Sequence, residues 1–478
     1  MATWCFLLLH GNHAFAQSAP ASADHPWQAP VVKQVEGEAA QIQAAQFRDP
    51  KSNIDPNKVH SLAELVDLAE GNNPETRVAW ERARAQAAAL GVSRSELYPT
   101  LAAAATTQVG RGEVLFGSQF IYQTVGGYQV AMALSYNVFD FGARAGRINA
   151  ASAQVLAANF AFNDAHRNVI YQVEQAYYRL LNAIGQEDAA RASLANAQTV
   201  QQSAEDRLTN GLATLPDVLE AKSATAQAEY DLQSVLGAEE IARGDLATAV
   251  GTSARVKIQV QPLDQLSIPD AADDTVEQAI DRALEKRPDL LQQVAQIRSA
   301  NARVKEAHAA YYPTLSLAVT PAAQSLYGLQ GPLAWTHTRD LAGEAAFNLQ
   351  WTVFDGGARR KRLEEAQANV HAAEAQAKVL NNQITDEVWT AYSNLNTAFR
   401  QRQAALALLQ AATQSYNAAL DSYNYGVRSL LDVTAAQRTL AQARASDVLA
   451  RTQVLAGFAD VAFRTADSIQ LNTAGPQP

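Results

Sequence analysis

The feature that most constrains how this chain can fold is an internal duplication. Tyr98-Pro99-Thr100-Leu101 recurs 214 positions later as Tyr312-Pro313-Thr314-Leu315. Val138-Phe139-Asp140 recurs 215 positions later as Val353-Phe354-Asp355, so one inserted residue separates the two registers. A register that is kept over most of a chain indicates two copies of one structural unit rather than a series of unrelated domains.

The duplication sets the predicted domain boundaries. A short apolar stretch followed by Ala14-Phe15-Ala16 is typical of a signal peptide that is cleaved after Ala16, and it predicts export. The segment that follows is polar and contains several prolines, so we expect it to be irregular. We therefore predict a signal peptide at 1–16, an irregular extension at 17–60, repeat 1 at 61–274, repeat 2 at 275–470 and a tail at 471–478.

Each repeat contains a very long stretch with few helix breakers. The 68 residues between Gly357 and Gly426 include no Gly or Pro, and residues 144–210 include no Pro. A helix of about 67 residues would be about 100 Å long. Alanine at many heptad positions favours close side-by-side packing in a thin wall, although an ordinary coiled coil would show the same heptads. We predict long helices at about 144–209 and 358–424, followed by returning helices at about 215–250 and 430–466.

Between the helices of each repeat, the spacing of apolar residues changes from a helical period to strict alternation. This alternation predicts strands at about 99–108, 127–138, 313–322 and 344–354, with hairpin loops at Val109–Gly126 and Ser325–Gly343. Strands of this length with one apolar face suit a transmembrane β-barrel, whereas a soluble hairpin packed on a helix is the alternative. Four strands cannot close a barrel, so a membrane location requires several copies of the chain. The predicted membrane-facing residues are Tyr128, Val130, Met132, Leu134, Tyr136, Phe347, Leu349 and Trp351.

Composition and motifs argue against catalysis and against nucleic-acid binding. The net charge is −10, and the one basic cluster, Arg359-Arg360-Lys361-Arg362, has no interleaved aromatic residues. The 8 histidines show no close metal-ligand spacing, and the single cysteine, Cys5, precedes the predicted cleavage site. We therefore expect no enzyme activity and no catalytic residue, cofactor or metal site.

Taken together, the ordered motifs resemble the TolC family of outer-membrane efflux channels. The resemblance covers nearly all of the chain after the extension. It rests on the doubled Tyr-Pro-Thr-Leu and Val-Phe-Asp-x-Gly-Ala-Arg motifs and on four further segments: Asn73-Pro74-Glu75, Arg287-Pro288-Asp289, 207–219 and 423–433.

The resemblance implies a mainly α fold with a membrane β-barrel portion, built from a tandem repeat of helix, β-hairpin and long helical hairpin. Three chains would form a homotrimer with a twelve-stranded β-barrel in outer-membrane lipid of a Gram-negative bacterium. A twelve-helix α-barrel tunnel would extend into the periplasm and meet a periplasmic adaptor protein and an inner-membrane transporter. The implied function is a passive exit duct for drugs and small toxic molecules.

The resemblance also implies where the periplasmic entrance lies. In the family, a tyrosine and an arginine on the second-copy tip hold the entrance closed against the first-copy helix. By position these residues are Tyr423 and Arg428, and their acidic partner is Asp217. Pro216, beside Asp217, departs from the family pattern. The expected tip turns, which would dock the adaptor, are Gly211, Leu212, Gly426 and Val427.

An acidic constriction is expected at Asp432, where three carboxylates around a trimer would attract cations. Some family members carry a second aspartate three residues later, whereas Ala435 stands at that position here. Helix capping is the alternative role for both Asp217 and Asp432.

Two other functions stay open from the sequence. A duct for type I protein secretion would use the same architecture. A soluble periplasmic coiled-coil scaffold or adaptor would belong to a different class, and it would have no reason to expose the apolar strand residues.

Overall fold

The structure is a computed structural model that describes residues 39–41, 58–269, 271, 275–330 and 335–467. The predicted signal peptide, the predicted tail and most of the predicted extension lie outside these residues. The chain divides into two units, Met1–Asp55 and Pro56–Pro478. Within the first unit, the described residues 39–41 are helical.

The described helices of the second unit occur in two matching series. The first and fifth have 11 residues each, the second and sixth 22 each, and the third and seventh 67 each, while the two returning helices have 35 and 36. They are α1 (Leu62–Asn72), α2 (Pro74–Ser95), α3 (Ala143–Thr209), α4 (Leu215–Ala249), α5 (Val276–Lys286), α6 (Pro288–Ala309), α7 (Ala358–Asn424) and α8 (Leu430–Thr465).

Local sequence explains where the short helices begin. Ser61 caps α1 through a reciprocal pair of hydrogen bonds with Glu64, and Thr275 caps α5 in the same way with Gln278. Proline then stands in the first turn of both α2 and α6, where its missing N–H would have no helical partner. The Asn73 side chain accepts a hydrogen bond from the Glu75 N–H and so caps α2.

The described strands form one four-stranded antiparallel sheet and one small parallel pair. In chain order they are β1 (Val59–His60), β2 (Thr100–Phe116), β3 (Gln119–Phe139), β4 (Gln259–Val260), β5 (Thr314–Gln330) and β6 (Thr336–Gln350). The large sheet has the order β2-β3-β5-β6, and β1 pairs with β4. Each hairpin of the large sheet therefore comes from one repeat, and β3 joins to β5 across the repeats.

The structure corrects three sequence predictions about these strands. Most of the predicted loops Val109–Gly126 and Ser325–Gly343 is strand, because ladder hydrogen bonds come from backbone groups and do not require an alternating pattern. Trp351 lies one residue beyond β6, where its ring N–H donates to the Tyr311 carbonyl at 3.1 Å. Val59–His60, predicted as part of the irregular extension, is the strand β1.

The two long helices differ in how many neighbours they have. The main packing partners of α3 are α1, α2 and α4 of its own repeat and α6 and α8 of the second repeat. Those of α7 are α5, α6 and α8, all from its own repeat. The side of α7 that corresponds to the covered side of α3 is therefore open in a single chain. Within the described ranges, no helix combines the length and apolar character needed to span a lipid bilayer.

Candidate functional site

The site lies at the tips of the two long helical hairpins, where α3 turns into α4 and α7 turns into α8. At the first tip, Gly211 has φ +71° and its N–H donates to the Leu208 carbonyl at 2.9 Å, while the next N–H, of Leu212, reaches the Arg207 carbonyl at 2.7 Å. At the second tip, Gly426 has φ +78°, and Gly426 and Val427 make the equivalent bonds at 2.9 and 2.8 Å. Both turns are Schellman motifs, which require the left-handed conformation that glycine adopts without strain.

Both predicted gate aspartates act as helix caps. The Asp217 carboxylate accepts hydrogen bonds from the Thr214 N–H at 2.9 Å and from its hydroxyl at 2.7 Å. The Asp432 carboxylate accepts the equivalent bonds from Ser429 at 3.2 and 3.0 Å. The Thr214 bonds lower the pKa of Asp217 below its ordinary value, with a further contribution from the charge of Arg207. Asp217 is half-buried, whereas Asp432 is exposed.

Arg207, in the last turn of α3, links the first tip to the second. One guanidinium nitrogen, Nη1, donates to the carbonyls of Tyr423 and Asn424, each at 2.9 Å. The guanidinium carbon also lies 4.7 Å from the centre of the Tyr423 ring, which is a cation–π arrangement. Arg207 is the first residue of the tip segment 207–219, and no role for it could be predicted from the sequence.

The structure brings Arg207 and Tyr423 into contact across the tips. Tyr423 is 4% exposed, and burial raises the pKa of its phenol; the charge of Arg207 opposes this rise, and the charge of Asp217 adds to it. Arg428 is exposed, and within the described residues its side chain has no hydrogen-bond or ion-pair partner. Within the described residues, a single chain therefore links Arg207 to Tyr423, whereas the Asp217 carboxylate bonds to Thr214 and Arg428 makes neither contact.

All four hairpin helices contribute to a small apolar core behind the tips. It contains Val200 and Ala204 from α3, Val218 and Ala221 from α4, four residues of α7 and four of α8; those of α7 and α8 are Ala412, Tyr416, Ala419, Tyr423, Leu430, Val433, Leu440 and Ala443. Alanine at 5 of these 12 positions lets the helices approach closely.

The outer surface of the tips is apolar and exposed. Leu212 is 66% exposed and Val427 is 78% exposed, and both are predicted tip-turn residues. The neighbouring exposed apolar side chains are Leu215, Leu219, Tyr425 and Leu431. Clusters of exposed large apolar side chains mark interaction surfaces.

The predicted membrane-facing residues lie in or directly beside the sheet at the opposite end of the helices. Most of them are exposed in the single chain, namely Tyr128, Val130, Met132, Phe347, Leu349 and Trp351. Leu134 and Tyr136 are partly buried. In the described part of the chain, no group of three or more His, Cys, Asp or Glu side chains could hold a metal ion.

Comparisons with known proteins agree with this architecture. The family model for "Outer membrane efflux protein" matches residues 65–252 and 279–463, one block in each repeat. Protein CyaE of Bordetella pertussis is 29% identical over 422 residues, which cover 88% of this chain and 86% of that protein. Outer membrane protein OprJ of Pseudomonas aeruginosa is 28% identical, with 86% and 85% covered.

A solved structure of a membrane protein from Pseudomonas aeruginosa has the same fold. It superposes with a TM-score of 0.75 at 26% identity, and the match covers 84% of this chain and 93% of that one. The predicted fold class, a tandem repeat of helix, β-hairpin and long helical hairpin, is thereby confirmed.

Proposed function

We propose that three copies of this chain, which belongs to the outer membrane efflux protein family, form the exit duct of a tripartite efflux system. Family and fold are those of outer-membrane channel proteins. The duct would carry drugs and other small toxic molecules from the periplasm to the outside, and it would work with a periplasmic adaptor and an inner-membrane transporter.

The open edges of the single chain support assembly with further copies. In the described sheet, β2 pairs on one side with β3 and β6 pairs on one side with β5, so two edge strands are left. Unpaired strand edges are not stable in lipid, because their backbone groups have no other partners there. The strands alternate in direction, so β6 of one copy can pair with β2 of the next in antiparallel fashion. Two copies would supply eight strands; we propose three copies and twelve strands, as in the family that the sequence resembles.

Repeat equivalence indicates how the helical wall would continue. The contacts of α3 with α6 and α8 join the first repeat to the second. The equivalent contacts of α7 would be with α2 and α4 of the next copy. Large apolar side chains on these elements are exposed in the single chain, among them Trp80 on α2, Tyr230 on α4 and Trp389 on α7. Burial of these residues in a subunit interface would stabilise the trimer.

We place the entrance gate at the tips, with Tyr423, Asp217 and Arg428 as its closing residues. The observation that carries this proposal is the contact of Arg207 with Tyr423 across the tips. Arg428 lies free of partners in the described chain, so its role would be to bond across to a neighbouring copy. The exposed apolar tip turns at Gly211–Leu212 and Gly426–Val427 would be the surface that the adaptor contacts.

Single-channel recording tests the proposal. Arg428→Ala should raise the conductance of the purified protein in a planar bilayer, because one set of closing contacts is lost. Arg360→Ala is the matched control, since Arg360 is an exposed arginine in the first turn of α7, at the far end of that helix. Equal conductance of the two variants would refute the role of Arg428, and a wild-type protein that forms no channels would refute the duct.

A further inference from the structure

We propose that Arg207 is a positioning residue of the entrance, which holds the second hairpin tip against the first and fixes the ring of Tyr423. The proposal rests on the proposed function for its consequence in conduction, whereas the contact between the tips can be tested without any transport assay.

The Arg207 guanidinium makes several contacts at the tips at once. Nη1 bridges the carbonyls of Tyr423 and Asn424, and Nη2 lies 3.4 Å from the Leu212 carbonyl in its own turn. The guanidinium carbon also lies 4.7 Å from the centre of the Tyr423 ring. The planar fork of arginine is suited to several fixed acceptors at once, which a lysine ammonium does not match.

The acceptors of Arg207 are carbonyls at the end of a helix. Tyr423 and Asn424 belong to the last turn of α7, where no further helical turn supplies N–H groups. The Tyr423 carbonyl also accepts from the Gly426 N–H, and its second lone pair is free for Arg207. That end of a helix also carries partial negative charge, which a cation stabilises. The last turn of α7 reads Asp421-Ser422-Tyr423-Asn424 and has no basic residue of its own. Arg207 on α3 therefore supplies from the first repeat the cation that the second repeat lacks.

The duplication is broken at the position of Arg207. Arg207 corresponds to Ser422 in the second repeat, at the same spacing that relates Gly211 to Gly426. The link thus runs in one direction, from the first tip to the second, and the second tip has no equivalent arginine to offer to the next copy. This leaves Arg428 as the basic residue of the second tip that is free to act between copies.

The other polar groups at the tips are engaged differently. The Asp217 carboxylate caps its own helix through Thr214. Ser203 donates from its hydroxyl to the Asn424 side-chain carbonyl at 2.9 Å, which is a second cross-tip contact close to Arg207. Because Ser203 and Asn424 touch, this pair can report directly on whether the tips are held together.

Disulfide trapping tests the proposal in the full-length trimer. Cys5 is the single cysteine of the chain and is first replaced in Cys5→Ser. Ser203→Cys and Asn424→Cys are then added, and the rate of cross-linking under a mild oxidant is measured. Arg207→Ala should slow cross-linking about tenfold, which corresponds to about 1.4 kcal/mol. Arg207→Lys should restore part of the rate, because the charge remains but the fork is lost.

Arg191→Ala is the matched control, because Arg191 lies on the same helix and pairs within that helix with Glu187. A cross-linking rate in Arg207→Ala equal to that of Arg191→Ala would overturn the proposal. The conductance of Arg207→Ala in a planar bilayer should also rise, with Arg207→Lys in between. Slower cross-linking without higher conductance would support the link between the tips and would refute the tip gate of the proposed function instead.

Discussion

The contact between α3 and α6 allows a sharp test of how closely the two repeats pack. Gly146 on α3 faces the backbone of Glu306 on α6. A Cβ atom added to Gly146 would lie 2.8 Å from the Glu306 nitrogen, 2.9 Å from its Cβ and 3.0 Å from its Cα. Backbone atoms cannot rotate away as a flexible side chain can. Gly146→Ala should therefore push the two helices apart by about 0.6 Å, the amount needed to restore ordinary contact at 3.4 Å.

The magnitude follows from two opposing terms. Overpacking of this kind costs about 1–3 kcal/mol. Replacing a helical glycine by alanine contributes about 0.5–1 kcal/mol of stability. Gly237→Ala isolates the second term, because Gly237 lies within α4 and nothing stands within 4 Å of an added Cβ. Gly146→Ala should thus be less stable than Gly237→Ala by about 1–3 kcal/mol.

Chemical denaturation of the detergent-solubilised protein, followed by circular dichroism at the helical band, measures this difference. The denaturation midpoint should be higher in Gly237→Ala than in the wild type, and lower in Gly146→Ala than in Gly237→Ala. The slope of the unfolding free energy against denaturant concentration should be similar in all of them. Equal stabilisation by both substitutions would show that α3 and α6 are not in backbone contact. It would also remove the basis for placing α2 of one copy against α7 of another.

Three further predictions concern titration, selectivity and capping. Burial raises the pKa of Glu174 from 4.5 to about 7, so between these pH values the folded protein keeps a proton that the unfolded chain releases. The free energy of unfolding should therefore fall as the pH rises through this range. Glu174→Gln should remove up to about 3 kcal/mol of this pH dependence, as measured by denaturation at several pH values. Asp432→Asn should lower the preference for cations over anions, measured as the reversal potential in a salt gradient, and an unchanged potential would exclude an acidic ring at Asp432. Thr214→Ala should destabilise the protein by about 1 kcal/mol through loss of the α4 cap, with the shift in denaturation midpoint as the measurement.

Much of the architecture could be predicted because the duplication repeats signals that are local. Glycine at 211 and 426 marks the two hairpin turns, and both have the positive φ that such turns need. The long helix α3 begins at Ala143, one residue before its expected start, and α7 begins at Ala358, as expected. These features depend on backbone preferences that a short segment carries by itself.

The strand lengths could not be predicted in the same way. Alternation is visible only where one face of a strand must be apolar. Beyond that region β2 and β3 continue through Gly110, Gly112 and Glu113, which pair through their backbones with Val125, Gln123 and Tyr122. The hairpin ends in a tight turn at Gly117, with φ +62°, so the strands extend almost to the connection.

The role of Arg207 was hidden for a related reason, since equivalent positions of the two repeats have different surroundings. Leu215 is 59% exposed, whereas its equivalent Leu430 is 2% exposed. Gly146 is buried against α6, whereas its equivalent Lys361 is exposed and pairs with Glu364 at 2.6 Å.

Both pairs occupy equivalent positions of the two repeats, and their surroundings differ in what packs beside the helix. Repeat 1 packs against repeat 2 of its own chain, whereas repeat 2 would pack against repeat 1 of another copy. A residue at such a boundary, as Arg207 is, therefore takes its role from a partner that its own segment does not specify. Substitutions at Arg207 and Arg428 should therefore separate contacts within one chain from contacts between chains.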